Sequence, residues 1–224
     1  MAHKTIGIMG GLGPAATVDF LRHVVSLTAT TPLRTLVDCN PTIPDVSCSI
    51  LGFGQECSSA LVEMALGLEK SGAEVVVLAC NAAHHYQDQI RAALTKPFLS
   101  MIDVTASALV GAQKVGLLAA ESCLFSGVYQ KALSAHGIET VILPPAENAA
   151  FNDALSRMRS GDVSRARTDD MLRAINYLAL SGATSVILGC TEVPLVVSQA
   201  DTLVHLIDPG LALAQATVQF ATLS

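Results

Sequence analysis

Short apolar bursts of four to seven residues, rich in Val, Ile and Leu, alternate along this chain with amphipathic stretches of ten to twenty. Bursts of that length fit buried parallel strands, and the longer stretches fit helices that cover them. The pattern predicts strands at Thr5–Met9, Leu36–Cys39, Val75–Cys80, Phe98–Ile102, Val115–Ala119, Glu139–Leu143, Val186–Cys190 and Leu203–Ile207. Helices are expected over Pro14–Thr28, Glu56–Lys70, Ala83–Leu94, Val104–Val110, Ser122–Ala135, Asn148–Arg159, Val163–Leu180, Val193–Ser198 and Leu211–Ala221. Pro14 suits a first helical turn, where its missing N–H has no partner to lose. Gly72, Gly137 and Gly182 follow helical patterns, where a left-handed cap is wanted. Regular alternation of strand and helix implies an α/β fold with parallel sheets and right-handed crossovers.

The pattern also repeats. Ser71-Gly72-Ala73-Glu74-Val75-Val76-Val77-Leu78-Ala79-Cys80-Asn81 matches Ser181-Gly182-Ala183-Thr184-Ser185-Val186-Ile187-Leu188-Gly189-Cys190-Thr191, an offset of 110 residues in a chain of 224. Ile6-Gly7-Ile8-Met9-Gly10-Gly11 recurs, 109 residues on, as Val115-Gly116-Leu117-Leu118-Ala119-Ala120. One duplication explains both offsets. It predicts two pseudo-symmetric lobes, each a four-stranded parallel sheet flanked by helices, with the site in the cleft between them. The first lobe takes residues 1–102 and regains 209–224; the second takes 103–208.

Composition narrows the class. A 51% hydrophobic fraction with 14% charged residues describes a well-buried globular chain. No uncharged apolar run reaches the roughly 18–20 residues that span a bilayer, so no membrane association is expected. Met1-Ala2-His3-Lys4 leads straight into a strand pattern without a signal-peptide core. A net charge of −6 with 13 dispersed Lys and Arg argues against nucleic acid as a partner. Six cysteines (Cys39, Cys48, Cys57, Cys80, Cys123, Cys190) without a CxxC pair read as reduced thiols in a cytoplasmic protein.

The repeated cysteines hold the candidate chemistry. Free cysteine is usually a small buried hydrophobe, and that reading suits Cys39, Cys48, Cys57 and Cys123. Cys80 and Cys190 differ: each closes a strand, and ligands of parallel sheets bind outside the strands' carboxyl ends. Each precedes a predicted helix whose N-terminus favours a thiolate. From a free-thiol pKa of about 8.5, a helix end supplying roughly 1–2 kcal/mol lowers the value by about one unit. Two thiols at one ligand couple, so the expected working state is one thiolate and one thiol. A base on one face and an acid on the other is the arrangement that inverts a carbon next to a carboxylate. Zinc is disfavoured: Cys80 and His84 share a spacing of four, but Cys190 is followed by Thr-Glu-Val-Pro without a histidine. His84 is then a supporting or capping residue. The turn Gly10-Gly11-Leu12-Gly13-Pro14 lacks a P-loop lysine and breaks the dinucleotide spacing at Ala16. Backbone N–H groups of Gly10 and Gly11 approaching a small carboxylate fit it better than nucleotide binding.

Ile6–Pro14, Asn40-Pro41-Thr42-Ile43-Pro44-Asp45, Ala79-Cys80-Asn81-Ala82-Ala83-His84, Ser126-Gly127-Val128-Tyr129 and Gly189-Cys190-Thr191-Glu192-Val193-Pro194 together resemble the aspartate/glutamate racemase superfamily, nearest its cofactor-independent aspartate racemase branch. The resemblance runs nearly the whole length. It implies an isomerase without pyridoxal phosphate or metal, a small carboxylate-bearing substrate such as an amino acid, and a homodimer. Cys80 and Cys190 take the roles of the two acid/bases, Asn81, Thr191 and Arg159 those of substrate contacts, and His84 and Glu192 those of supporting residues. Three departures stand out: Val46 where that branch carries an arginine after Ile-Pro-Asp, Ala82 in place of a threonine, and Ala120 where threonines meet the ligand. The alternatives are a one-cysteine sister reaction (isomerisation of an unsaturated diacid, or decarboxylation) and a non-catalytic small-molecule binder.

Overall fold

The computed structural model describes residues 3–162 and 164–223. Two four-stranded parallel sheets run in the same order. In the first, β1 (Ile6–Gly10), β2 (Thr35–Cys39), β3 (Val75–Leu78) and β4 (Phe98–Leu99) lie β2-β1-β3-β4. In the second, β5 (Lys114–Ala119), β6 (Glu139–Val141), β7 (Ser185–Gly189) and β8 (His205–Ile207) lie β6-β5-β7-β8. The helices are α1 (Pro14–Leu27), α2 (Val46–Ile50), α3 (Ser58–Lys70), α4 (Gln87–Ala93), α5 (Met101–Ala108), α6 (Glu121–Ser126), α7 (Val128–Ala135), α8 (Pro145–Arg159), α9 (Arg165–Leu180) and α10 (Pro209–Thr222). No helix among the described residues is long and apolar enough to cross a membrane.

Successive side chains of a strand point to opposite faces, and in the central strands both faces are dry. Ile6, Ile8, Val75, Val77 and Ala79 pack against Phe20 and Val24 of α1 and Leu213, Ala214 and Ala221 of α10. Met9, Val76 and Leu78 pack on the other face against Leu61, Met64, Ala65 and Leu68 of α3. The second sheet repeats this, with Val186 and Leu188 against α8 and α9, and Val115, Leu117 and Ile187 against Tyr129 and Leu133 of α7. Helix α5 serves both halves: Met101 belongs to the first core, Ile102 and Ala106 to the second.

The duplication has a packing reason. A Cβ on Gly7 would stand 2.7 Å from that of Ala73 and 3.3 Å from that of Leu68; one on Gly116 would meet Leu178 at 3.0 Å and Ala183 at 3.3 Å. Each glycine is a notch that lets the helix before the next strand settle on the sheet. Gly72, Gly137 and Gly182 have φ of 99°, 72° and 95°, the left-handed helix ends expected of them, and Pro14 sits in the first turn of α1.

Local boundaries differ where side chains intervene. The strand expected over Phe98–Ile102 stops at Leu99 because Ser100 caps α5, its hydroxyl accepting the Asp103 N–H at 3.2 Å. The helix expected over Ser122–Ala135 breaks in two at Gly127, φ 69°. Ala83–Leu94 begins as a 3-10 turn over Ala82–Tyr86, and Val193–Ser198 forms only such a turn over Val193–Leu195. Helix α2 has no counterpart in the apolar pattern; Asp45 caps it by accepting the Cys48 N–H at 2.7 Å. The helix expected from Val163 starts at Arg165, Val163 itself lying outside the described residues.

Candidate active site

In each sheet the chain winds outward in both directions from its two central strands, β1 and β3 in one, β5 and β7 in the other. Ligands of open parallel sheets bind at such reversal points, beyond the strands' carboxyl ends. The glycine turn follows β1, Cys80 follows β3, Ala120 follows β5 and Cys190 follows β7. Both repeated cysteines therefore stand at the reversal points of their sheets.

The glycine turn is pinned from within. Thr17, buried on α1, accepts the Gly11 N–H at 2.9 Å and donates to the Gly13 carbonyl at 3.3 Å. Gly11 has φ 92°, and a side chain there would collide with the Asn40 backbone. Gly10 accepts the Asn40 N–H at 3.2 Å, and a Cβ on Gly10 would run into the Thr17 side chain. The Gly11 N–H, a candidate ligand donor, is thus already occupied. Gly13 reaches across to the second half: a Cβ there would lie 3.3 Å from Oε1 of Glu192.

Cys80 is half-buried. Its carbonyl is held 2.7 Å from Nδ1 of His84, whose Nε2 accepts the Met101 N–H at 3.0 Å. These two bonds put the His84 proton on Nδ1. Burial, partly offset by the Cys80 carbonyl, pushes the imidazole pKa down to about 4, so it is neutral. His84 braces the turn against the start of α5 and spends both nitrogens on backbone. Val46 and Ala82 pack into apolar clusters and Ala120 is buried.

Asn81 is buried, and its Oδ1 accepts the hydroxyl of Tyr129 from α7 at 2.5 Å, a bond between the two halves. The Asn81 Nδ2 is buried without a hydrogen-bond partner among the described residues. A buried donor left unpaired costs roughly 1–3 kcal/mol, so this amide group is poised for an acceptor. A second bridge joins Ser47 of α2 to Ser122 of α6 at 3.0 Å.

Cys190 is buried beside charge. Its Sγ lies 2.8 Å from Oε2 of Glu192 and 3.7 Å from Nη2 of Arg159 at the end of α8. Arg159 Nε donates to Oε1 of the same Glu192 at 3.1 Å, and the Thr191 hydroxyl lies 3.4 Å from Oε2. Glu192 is therefore in direct contact with the thiol, not merely behind it.

The thiol pKa expected from the sequence is corrected in sign. Burial pushes Cys80 up to about 11; the Ala83 N–H and Arg159 pull it down and Glu192 pushes it up. Burial, then Glu192, also raise Cys190 well above the ordinary thiol value, against the pull of Arg159. Each strand leads into a short 3-10 turn rather than an α-helix, so too few aligned peptides face the sulfur to outweigh desolvation. One ion pair, Arg159–Glu192, acts on both sulfurs.

The roles of Tyr129 and of the direct Glu192–thiol contact are not evident from sequence, although Ser126–Tyr129 and Gly189–Pro194 are visible there as motifs. Among the described residues no three His, Cys, Asp or Glu side chains group to hold a metal ion.

Known proteins share this fold. A family model described as "Asp/Glu/Hydantoin racemase" matches residues 9–217. The broad specificity amino-acid racemase RacX of Bacillus subtilis is 26% identical over 220 residues, covering 95% of this chain and 96% of that one. The aspartate racemase of Picrophilus torridus superposes with a TM-score of 0.87 at 29% identity, over 97% of this chain and 94% of that one. The fold extends to glutamate racemase from Francisella tularensis, with a TM-score of 0.76 at 19% identity over 98% of this chain and 81% of that one. With the family match running from β1 into α10, the chain belongs to the Asp/Glu/hydantoin racemase family and is an isomerase.

Proposed function

We propose that the protein racemises an amino acid by carrying the Cα proton between Cys80 and Cys190, one thiol on each face of the substrate. The observation that supports this most is the Arg159–Glu192 pair, which touches Sγ of Cys190 and whose charges also bear on Cys80. The kinship with racemases named for aspartate, glutamate and broad amino-acid specificity points the same way. In this reading residues 1–102 with 209–224 and residues 103–208 are two lobes that enclose the substrate, in a cytoplasmic homodimer.

Both thiols rest protonated, so catalysis starts by ionising one. Glu192 Oε2 takes the Cys190 proton along the 2.8 Å contact, and Arg159 holds the resulting thiolate. That thiolate abstracts the Cα proton, breaking C–H and forming S–H. The electron pair moves into the substrate carboxylate, where the free Asn81 Nδ2 donor and the Thr191 hydroxyl stabilise the developing charge. Cys80, still protonated, delivers its proton to the opposite face, breaking S–H and forming the new C–H. Cys80 is left as a thiolate; it begins the reverse reaction, or regains a proton from solvent as Glu192 releases its own, which restores both resting thiols.

Incubation in deuterium oxide with an amino-acid panel tests the reading. Deuterium should enter at Cα as the opposite enantiomer forms, and Cys80→Ser or Cys190→Ser should each stop racemisation. Full racemisation by either variant would exclude the two-thiol scheme and favour a one-cysteine reaction.

A further inference from the structure

Resting on that racemase reading, we infer that the site selects amino acids with a single carboxylate and an uncharged side chain: Arg159 and Glu192 clamp the zwitterion, and Leu12, Ile43 and Ala82 receive the side chain.

Charge around the two thiols is balanced. The ionised groups that act most strongly on both sulfurs are the same two, Glu192 and Arg159. They compensate each other across 3.1 Å, so the surroundings of the two thiols are close to neutral. His84, the nearest imidazole to Cys80, is uncharged and committed to backbone on both nitrogens. The arginines nearest Arg159 in sequence have carboxylate partners of their own: Arg157 with Asp153 at 2.8 Å, Arg165 with Asp169 at 3.3 Å, and Arg167 with Asp162 and Asp170 at 3.3 and 2.7 Å.

A zwitterion fits such a site. On binding, before the Cys190 proton moves to Glu192, its carboxylate can share Arg159 and take the unpartnered Asn81 amide while its ammonium shares Glu192, leaving the total charge unchanged. A second carboxylate would add an anion to a site whose cation, the half-exposed Arg159, is already matched by Glu192. Burying a charge without a partner is strongly unfavourable.

The walls agree with the charges. Leu12 after β1, Ile43 after β2 and Ala82 after β3 are half-buried and pack with Cys80 on one apolar cluster at the carboxyl ends of the first sheet. An apolar surface there offers a side-chain carboxylate no donor. It binds a methyl, a thioether or a branched chain through area removed from water.

Two measurements test this together. Cα deuteration is followed by proton NMR for the wild-type protein with L-alanine, L-methionine, L-leucine, L-aspartate and L-glutamate. At least one neutral amino acid should exchange with a kcat/KM tenfold or more above both diacids. Exchange on the diacids at an equal or higher rate would overturn the inference while leaving the racemase reading intact; no exchange on any substrate would overturn both. Calorimetric binding of L-aspartate and L-alanine to Glu192→Gln, its fold checked by circular dichroism, reads the clamp without turnover. Freeing Arg159 should shift the ratio of the two Kd values at least fivefold toward aspartate, and an unchanged ratio would overturn the clamp.

Discussion

The turns after β3 and β7 descend from one repeated segment, yet they surround their sulfurs differently. At Cys80 the hydrogen-bonding neighbours are neutral, the backbone N–H groups of Ala82 and Ala83 and a histidine turned toward peptide groups, and Glu192 and Arg159 act on it only through their charges. At Cys190 a carboxylate and a guanidinium touch the sulfur. Strand order and the glycine notches repeat, so the two platforms match; Glu192 against Ala82 at the matching place, with Arg159 beside it, makes their chemistry unequal. In the proposed reaction one turn loses a proton to a neighbour and the other keeps its own.

The largest break in this comparison is removal of either sulfur. Cys80→Ser and Cys190→Ser should each lower the racemisation rate by about 10³-fold or more, the contribution of a positioned acid or base, measured by the decay of optical rotation. Glu192→Gln should separate the turns. It deprives only Cys190 of its proton acceptor, so kcat should fall by about 10²-fold and recover as pH rises toward the ionisation of the thiol itself. The wild-type rate should climb less steeply over the same range, because the raised pKa values leave both thiols protonated at neutral pH and Glu192 supplies the missing base.

The brace under Cys80 predicts an acid-side signature. A folded pKa of about 4 against an unfolded value near 6.5 means the unfolded chain binds the extra proton first. Stability should be full above pH 6.5 and decline as the pH falls toward 4, by about 3 kcal/mol. Urea titrations of wild type and His84→Gln read this directly: the variant should lack that part of the pH dependence. The smallest effect belongs to the bond between halves. Tyr129→Phe removes the donor to Asn81 Oδ1 and should cost about 1–2 kcal/mol, with KM rising several-fold and kcat nearly unchanged, read by steady-state kinetics and thermal melting.

Much of this architecture is readable as pattern. The central strands announce themselves because a strand buried on both faces must be an unbroken apolar run, as Val75–Leu78 and Ser185–Gly189 nearly are; the partly exposed strands β2, β6 and β8 are readable from their place in the alternation with helices. Pro14 and the left-handed glycines mark helix ends because few residues serve those conformations. Other features depend on contacts that sequence spacing does not encode. Val46–Ile50 carries too few apolar residues to look helical and owes its turn to the Asp45 cap. The rise in the Cys80 pKa comes from burial by distant segments, where local sequence offers only a helix start. The position of Glu192 two residues after Cys190 is plain, but its carboxylate could as well have faced solvent; Arg159, 33 residues earlier, decides where it points.

Helix α5 has one residue, Met101, in the first hydrophobic cluster and the next, Ile102, in the second, while its leading N–H is tied through His84 to the Cys80 carbonyl. Melting either half strips one flank of that helix and loosens the peptide that aims the first sulfur. The protein should therefore denature in a single calorimetric transition, and neither sheet, severed from the other, keeps a cysteine ready to react.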